Sequence, residues 1–220
     1  MMRYTTLLFD LDGTIIDSRE GITKSVQYAL DKCEVAEKDP ERLLLFIGPP
    51  LLDSFMEYYS MDRERAAYAV EMYRERYGVV GIFEAKVYDG IVPLLRRLHE
   101  EGRKLAVASS KPEVYVKRIL DRFGIGQYFD EIVGAAMDGT RDHKPDILKE
   151  VFRRCAITPE NKASVIMIGD RRYDIEGAKT MGIDSIGVRY GFAPDGELER
   201  AGASYVADTA EGLDRLLKEI

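Results

Sequence analysis

Short apolar runs recur along the chain, and segments with helical periodicity separate them. Each run has the length of a strand that is buried on both faces of a sheet. The intervening segments place apolar residues three or four positions apart, as a helix with one buried face does. The predicted strands are Thr5–Phe9, Lys104–Ala108, Ile132–Ala135, Val165–Ile168 and Ser185–Val188, and the predicted helices are Ile91–His99, Pro112–Phe123 and Asp146–Cys155. This alternation predicts an α/β fold with a doubly wound parallel sheet.

One segment interrupts the alternation directly after the first predicted strand. From about Ser18 to Ala85 the sequence has only helical periodicity, with a break at Pro49-Pro50. Its apolar stripes are Ile22, Val26, Ala29 and Cys33, and Ala66, Val70, Tyr73 and Tyr77. We therefore expect a discontinuous α/β core, formed by residues 1–17 and 86–220, and an inserted helical-bundle cap domain, formed by residues 18–85.

Composition and charge are those of a globular protein and exclude several classes. The chain has 220 residues, of which 45% are hydrophobic and 32% charged. Its net charge of -7 argues against a nucleic-acid surface, because phosphate backbones attract clustered Lys and Arg. No apolar run approaches the roughly 18 residues that span a bilayer, so we expect a cytoplasmic protein without a membrane partner. Cys33 and Cys155 are expected to be free, buried thiols, and the sequence predicts no oligomeric state.

Polar residues follow the predicted strands at their carboxyl ends. In an open parallel sheet these ends lie on one edge, where ligands bind. Carboxylates that gather there repel one another unless a cation is present, and hard oxygen ligands favour Mg²⁺. The segments concerned are Asp10-Leu11-Asp12-Gly13-Thr14, Ser109-Ser110-Lys111, His143-Lys144-Pro145 and Gly169-Asp170-Arg171-Arg172-Tyr173-Asp174.

Each of these segments also has a purely structural explanation. The first favours a turn, the serines before Pro112 can cap a helix, and Lys144 can be a solvated residue before a helix. Four such coincidences in this order, each beside a strand, are less credible than one site. The sequence therefore predicts that these side chains act together.

Four motifs make the chain resemble the haloacid-dehalogenase-like hydrolases over essentially its whole length. They are LLFDLDGT, VASSK, HKPD and IMIGDRRYDIEGAK. The first joined to the fourth is very specific for that family. Within it, the chain is most similar to the phosphoglycolate-phosphatase-like branch, which has a small helical cap after the first motif.

The resemblance implies a Mg²⁺-dependent phosphatase that forms an aspartyl phosphate on a small phosphorylated metabolite. It places Asp10 as nucleophile, Asp12 as acid and base, and Ser109 and Lys144 beside the phosphoryl group. The implied metal ligands are Asp10, the backbone carbonyl of Asp12, and Asp170, with Asp174 in support; Gly13, Thr14 and Ser110 are further expected substrate-binding residues.

These residues disfavour a dehalogenase and a phosphoacceptor signalling domain, and they remain compatible with a phosphomutase. A dehalogenase would lack the acid at Asp12 and would not use Asp170 as a metal ligand. A phosphomutase would pass the phosphoryl group to a second hydroxyl group. A phosphoacceptor signalling domain also clusters aspartates, a hydroxyl group and a lysine at a sheet edge, but it needs no helical cap.

The substrate is not predicted beyond its phosphate. Phosphoglycolate ranks first, a 5′-nucleotide follows closely, and a sugar phosphate is also compatible with the motifs. We expect specificity to reside in the cap, around Phe46–Leu51, with Gly48 as a substrate-binding residue. The alternative is that this Gly/Pro-containing segment is only a turn between cap helices.

Overall fold

A six-stranded parallel sheet forms the centre of the α/β part of the protein. The computed structural model describes residues 3–220. The strands are β1 (Thr6–Phe9), β2 (Ile16–Asp17), β3 (Lys86–Val87), β4 (Lys104–Pro112), β5 (Glu131–Ala135), β6 (Val165–Gly169), β7 (Asp184–Val188) and β8 (Tyr205–Ala207). The large sheet has the order β5-β4-β1-β6-β7-β8, and β2 pairs with β3 in a separate two-stranded sheet. The predicted α/β fold with a parallel sheet is confirmed.

The described part of the chain contains ten α-helices. Four of them, α1 to α4, belong to the predicted insertion, and the other six accompany the large sheet. The helices are α1 (Arg19–Lys32), α2 (Pro40–Leu44), α3 (Leu51–Tyr59), α4 (Arg63–Tyr77), α5 (Ile91–Glu100), α6 (Glu113–Arg122), α7 (Lys144–Arg154), α8 (Arg172–Met181), α9 (Glu197–Ala201) and α10 (Ala210–Glu219).

The chain divides into two compact units. The first, which we call the sheet unit, contains the chain up to Ile16 together with Val87–Ile220, and the second, the helical unit, is Asp17–Lys86. Each boundary lies one residue from the expected one.

Strand β1 lies between β4 and β6, so its residues are enclosed on both sides. Leu7 pairs with Leu105 of β4 and with Ile166 of β6. Leu7, Leu8 and Phe9 are all fully buried, as the uninterrupted apolar run predicts. The burial of this run fixes the carboxyl end of β1 at the middle of the sheet edge.

Several element boundaries differ from the sequence predictions. Strand β4 continues to Pro112 instead of ending at Ala108, because its pairing with β5 resumes at Pro112 and Ala135 after a register shift. Helix α6 accordingly begins at Glu113, with Pro112 preceding the first helical residue. Helix α7 begins at Lys144, two residues earlier than predicted. Strand β8 and helices α9 and α10 were not predicted from the periodicity.

Aromatic packing stabilises the helical unit. The Phe46 ring lies 4.8 Å from the Phe55 ring, and Tyr73 and Tyr77 stack at 5.1 Å between ring centroids. Phe46 and Ile47, in the first half of the expected specificity segment, are buried, and the Phe46 ring packs on other aromatic rings of this unit. Gly48 has φ +112°, a conformation that strains any L side chain. Its role in substrate binding stays a prediction.

The two cysteines and the hydrophobicity of the helices agree with the sequence analysis. Cys33 and Cys155 are free and buried, as predicted. Burial raises the pKa of both thiols, which disfavours the reactive thiolate form. Among the described helices, none is both long and apolar enough to cross a bilayer.

Candidate active site

Asp10 is the first residue after the central strand β1. Its backbone N–H donates to the carbonyl oxygen of Ile168 at 2.9 Å, so the parallel pairing with β6 continues through this position. The residue is only 6% exposed. A carboxylate is therefore fixed at the middle of the carboxyl edge of the sheet, where an open α/β fold binds its ligands.

Lys144, the first residue of α7, joins three groups of this edge through its ammonium group. The Nζ atom donates to Asp10 Oδ1 at 2.9 Å and to the Ala108 carbonyl oxygen at 2.7 Å. It also forms an ion pair with Asp174 Oδ1 at 2.7 Å. Burial alone would lower the pKa of Lys144, but the charges of Asp10 and Asp174 raise it above its ordinary value. The lysine is thus a permanent positive charge beside Asp10.

Three buried carboxylates meet next to this lysine. One oxygen from each of Asp10, Asp170 and Asp174 lies within 4.8 Å of the others. Burial raises the pKa of Asp10 to about 6, against the opposing effect of Lys144. Burial and the charges of Asp174 and Asp10 raise the pKa of Asp170 well above its usual range. Burial and the neighbouring carboxylates thus disfavour the ionised forms of these groups, which a bound cation would favour.

The segment after β7 packs directly on Asp170, a contact that the sequence analysis missed. The backbone N–H of Phe192 donates to Asp170 Oδ2 at 2.8 Å. Asp170 Oδ1 is buried without a hydrogen-bond partner among the described residues. The hydroxyl group of Tyr190 donates to the Thr14 carbonyl oxygen at 2.9 Å and so connects this segment to the first motif. Only the glycine in Arg189-Tyr190-Gly191-Phe192 could have indicated such a close approach.

Two glycines leave just enough room for Asp170. A Cβ atom on Gly13 would lie 2.0 Å from Asp170 Oδ2, and one on Gly191 would lie 2.3 Å from Asp170 Cβ. Gly13 also has φ +77°, which favours glycine on conformational grounds. On the other side of the site, a Cβ on Gly169 would lie 2.2 Å from Asp174 Cγ. Glycine is therefore required at three points where backbone contacts a carboxylate.

Asp12 lies two residues beyond Asp10 but has a different partner. Its Oδ2 atom forms an ion pair with Lys111 Nζ at 2.9 Å, and its Oδ1 atom is buried without a hydrogen-bond partner in the described chain. The Asp12 carboxylate is not a member of the three-carboxylate cluster. The quoted motif VASSK included Lys111, but the sequence analysis gave this residue no role.

The other expected phosphate-binding residues surround the same loop ends. Ser109 is buried at the end of the regular part of β4, and its Oγ accepts the backbone N–H of Lys111 at 3.3 Å. Thr14 is fully buried, and its Oγ1 has no hydrogen-bond partner among residues 3–220. Ser110 is half-buried. Gly48 belongs to the helical unit.

Comparison with known proteins places these motifs in a family. The family model described as "haloacid dehalogenase-like hydrolase" matches residues 7–188. A 5′-nucleotidase of Pseudomonas aeruginosa is 45% identical over 210 residues, which cover 95% of this chain and 94% of that protein. The tyrosine-protein kinase PtkA of Mycobacterium tuberculosis is 35% identical, over 93% of this chain and 68% of its own.

A solved structure extends the similarity to the fold. The crystal structure of a predicted phosphatase from Clostridium acetobutylicum superimposes with a TM-score of 0.95 at 46% identity, covering 99% of each chain. The matched residues include the strand ends that carry Asp10 and Asp170. The chain therefore belongs to the haloacid dehalogenase-like hydrolases.

Proposed function

We propose that this protein is a Mg²⁺-dependent phosphomonoester hydrolase that acts through an aspartyl phosphate at Asp10. The observation that carries the proposal is the separation of two buried aspartates. Asp10 lies in the carboxylate cluster and contacts Lys144 at 2.9 Å. Asp12, two residues away, lies outside that cluster and keeps one carboxylate oxygen without a hydrogen bond in the described chain. One aspartate can thus act as nucleophile while the other exchanges protons.

The reaction has two displacements at phosphorus. In the first, a carboxylate oxygen of Asp10 forms a bond to phosphorus, and the bond from phosphorus to the ester oxygen breaks. Asp12 gives that leaving oxygen its proton, so an alcohol departs. In the second, a water oxygen attacks phosphorus, Asp12 takes a proton from it, and the bond to Asp10 breaks. Inorganic phosphate and free Asp10 result.

The carboxylate cluster fits a magnesium ion. Asp170 Oδ1 is a buried oxygen without a hydrogen-bond partner in the described chain. One oxygen from each of Asp10, Asp170 and Asp174 lies within 4.8 Å of the others. Such hard oxygen ligands suit Mg²⁺. Asp10 and Asp170 would bind the ion with the Asp12 backbone carbonyl, and Asp174 would support them through Lys144. When bound, the ion would supply positive charge that lets an anionic ester approach a carboxylate.

The residues around Asp10 provide further positive potential and hydrogen bonds for a phosphoryl group. Lys144 brings an ammonium group to Asp10 and stabilises the negative charge that spreads over the phosphoryl oxygens. The hydroxyl groups of Ser109 and Ser110, near the end of β4, can donate hydrogen bonds to phosphoryl oxygens. The backbone N–H groups of Gly13 and Thr14, shortly after Asp10 in the chain, can do the same. We propose Gly13, Thr14, Ser109 and Ser110 as the residues that bind the phosphoryl group.

The substrate is proposed at the level of a small phosphorylated metabolite. The sequence motifs alone rank phosphoglycolate first, but the relative of 45% identity is named a 5′-nucleotidase, which favours testing nucleoside 5′-monophosphates first. Phosphoglycolate comes next and sugar phosphates third. Phosphotyrosine is added because a relative of 35% identity is named a tyrosine-protein kinase.

A panel of these esters with Mg²⁺ and p-nitrophenyl phosphate tests the proposed function. We expect sustained release of inorganic phosphate, with at least one metabolite preferred over p-nitrophenyl phosphate in kcat/KM. A single turnover followed by a stable phosphoprotein would instead indicate a phosphoacceptor signalling domain. Activity that depends on a bisphosphate activator would indicate a phosphomutase.

Replacing Gly191 with alanine should weaken Mg²⁺ binding about tenfold, because groups that orient metal ligands typically contribute 10- to 100-fold to affinity. The new Cβ would lie 2.3 Å from Asp170 Cβ and 2.5 Å from the Gly13 carbonyl oxygen, so Asp170 must move. Isothermal titration of the substrate-free protein with Mg²⁺ measures the affinity directly. The matched control is Gly126→Ala, whose Cβ would have no contact shorter than 3.5 Å. Equal affinity in both folded variants would contradict the assignment of Asp170.

A further inference from the structure

A second buried lysine lies at the sheet edge and has no part in the reaction as described so far. Lys111 is near the end of β4, and its Nζ atom is 2.9 Å from Asp12 Oδ2. The two side chains are 5% and 10% exposed, respectively. A buried ion pair of this kind has a desolvation cost, so its presence at a reactive aspartate calls for a reason beyond stability.

The two buried lysines serve different aspartates. Lys144 contacts Asp10 and Asp174, which belong to the carboxylate cluster, whereas Lys111 contacts Asp12, which does not. A carboxylate so close in sequence to Asp10 would otherwise be attracted to a cation in that cluster, because opposite charges interact strongly in a buried site. The ion pair with Lys111 opposes this movement.

Two features restrain the backbone around Lys111. The Lys111 N–H donates to Ser109 Oγ at 3.3 Å, and the next residue, Pro112, directly precedes α6 with φ -50°. Proline restricts this angle, so the chain has little freedom at the point where strand becomes helix. Lys111 therefore presents its ammonium group from a rigid support.

We propose that Lys111 is a positioning residue for the proton-transferring aspartate, an inference that rests on the proposed function. Lys111 engages Oδ2 of Asp12, keeps this carboxylate apart from the metal-binding cluster, and leaves Oδ1 directed to the reacting ester. Asp12 can then give its proton to the leaving oxygen in the first displacement and take one from water in the second. In this role Lys111 acts through Asp12 and takes no direct part in either displacement.

The test compares two aryl esters whose leaving groups differ in their need for a proton. Phenyl phosphate has a poor leaving group, whereas p-nitrophenyl phosphate departs with little protonation. The ratio kcat/KM covers the steps up to the aspartyl phosphate, so it reports proton donation without the later hydrolysis. Lys111→Met should lower kcat/KM about tenfold or more for phenyl phosphate and less than about threefold for p-nitrophenyl phosphate, part of the 10²–10⁴-fold effect typical of a proton donor.

A second comparison separates positioning from direct binding of phosphate. In the Asp12→Asn background, adding Lys111→Met should change kcat/KM by less than about twofold, because residues that act as a unit are not additive. The double variant also avoids leaving Asp12 as an unpaired buried charge, so the comparison stands even if Lys111→Met alone folds poorly. Lys111→Arg should restore part of the loss. Lys117→Met, which removes an exposed lysine paired with Glu113, is the control and should match the wild type.

Two outcomes would overturn the proposal. Equal losses on both esters, persisting in the Asp12→Asn background, would show that Lys111 binds the phosphoryl group directly. Unchanged kcat/KM in a folded Lys111→Met variant would show that the ion pair is only structural. Failure of the proposed function would appear earlier and differently, since the wild-type protein itself would hydrolyse neither ester.

Discussion

Replacing Asp10 with asparagine should eliminate hydrolysis of every phosphomonoester that the wild-type protein accepts. The substitution keeps the size and the hydrogen-bonding oxygen of the side chain next to Lys144, whose Nζ is 2.9 Å from Asp10 Oδ1. It removes the negative charge that must attack phosphorus, so no acyl phosphate can form. A loss to the uncatalysed background is expected, which is larger than the 10²–10⁴-fold typical of removing a proton donor.

The variant should fold normally, which makes the loss interpretable. Burial raises the pKa of Asp10 to about 6, so ionising this group costs more free energy in the folded protein than in the unfolded chain. Above pH 6, where the group is ionised in both states, that full cost lowers the stability of the fold. An ionised Asp10 therefore destabilises the metal-free fold at neutral pH, and its removal should leave the melting temperature equal or higher. A marked fall in melting temperature would instead show that Asp10 has a structural role.

The measurement is acid quenching after mixing with ³²P-labelled substrate. The wild-type protein should retain label that hydroxylamine releases, as an acyl phosphate does, and Asp10→Asn should retain none. Asp12→Asn should accumulate label from p-nitrophenyl phosphate, because its nucleophile is intact while the water attack is slow. Asp121→Asn, at an exposed position of α6, is the control and should match the wild type. Near-normal turnover by Asp10→Asn would refute the mechanism.

The sequence predicts the sheet edge well because burial and chemistry change at the same residue. The apolar run of β1 ends directly in Asp10, and the run of β6 ends at Gly169 before Asp170. In a parallel sheet, such an abrupt change indicates that the strand leaves the core at a ligand site. These two positions follow from the pattern alone, whereas the roles of Asp12 and Ser109 came from the family resemblance.

What the sequence does not predict depends on contacts between distant segments. The hydrogen bond from Phe192 to Asp170 joins residues 22 positions apart, and no periodicity in the segment after β7 signals it. The extension of β4 to Pro112 depends on pairing with Ala135 after a register shift. The sequence does not predict this extension, because the polar residues Ser109 and Ser110 are typical of the start of a loop. Lys111 was visible in its motif, but only the fold shows that its ammonium group contacts Asp12.

Removal of divalent cations should abolish activity as completely as the loss of Asp10. Without an ion, Asp10 and Asp174 pair with the Lys144 ammonium group while Asp170 lies beside them, so an anionic ester would have to approach uncompensated negative charge. EDTA should therefore reduce hydrolysis to background, and Mg²⁺ should restore it. Ca²⁺ should inhibit, because its larger and more flexible coordination shell misplaces the nucleophile.

The affinity for Mg²⁺ should also depend on pH in a defined direction. A carboxyl group must lose its proton to bind the ion, and burial raises the pKa of Asp10 to about 6. Below that pH the proton competes with the metal, so the Kd for Mg²⁺ should rise about tenfold per pH unit if one proton is displaced. Above it the proton on Asp10 no longer competes, and any further fall in Kd reports deprotonation of Asp170, whose pKa burial also raises well above its usual range. Isothermal titration between pH 5 and 8, with the Mg²⁺-induced rise in melting temperature as a second readout, measures this directly. Full activity in EDTA would refute the metal requirement, and an affinity independent of pH would place the metal elsewhere than at Asp10.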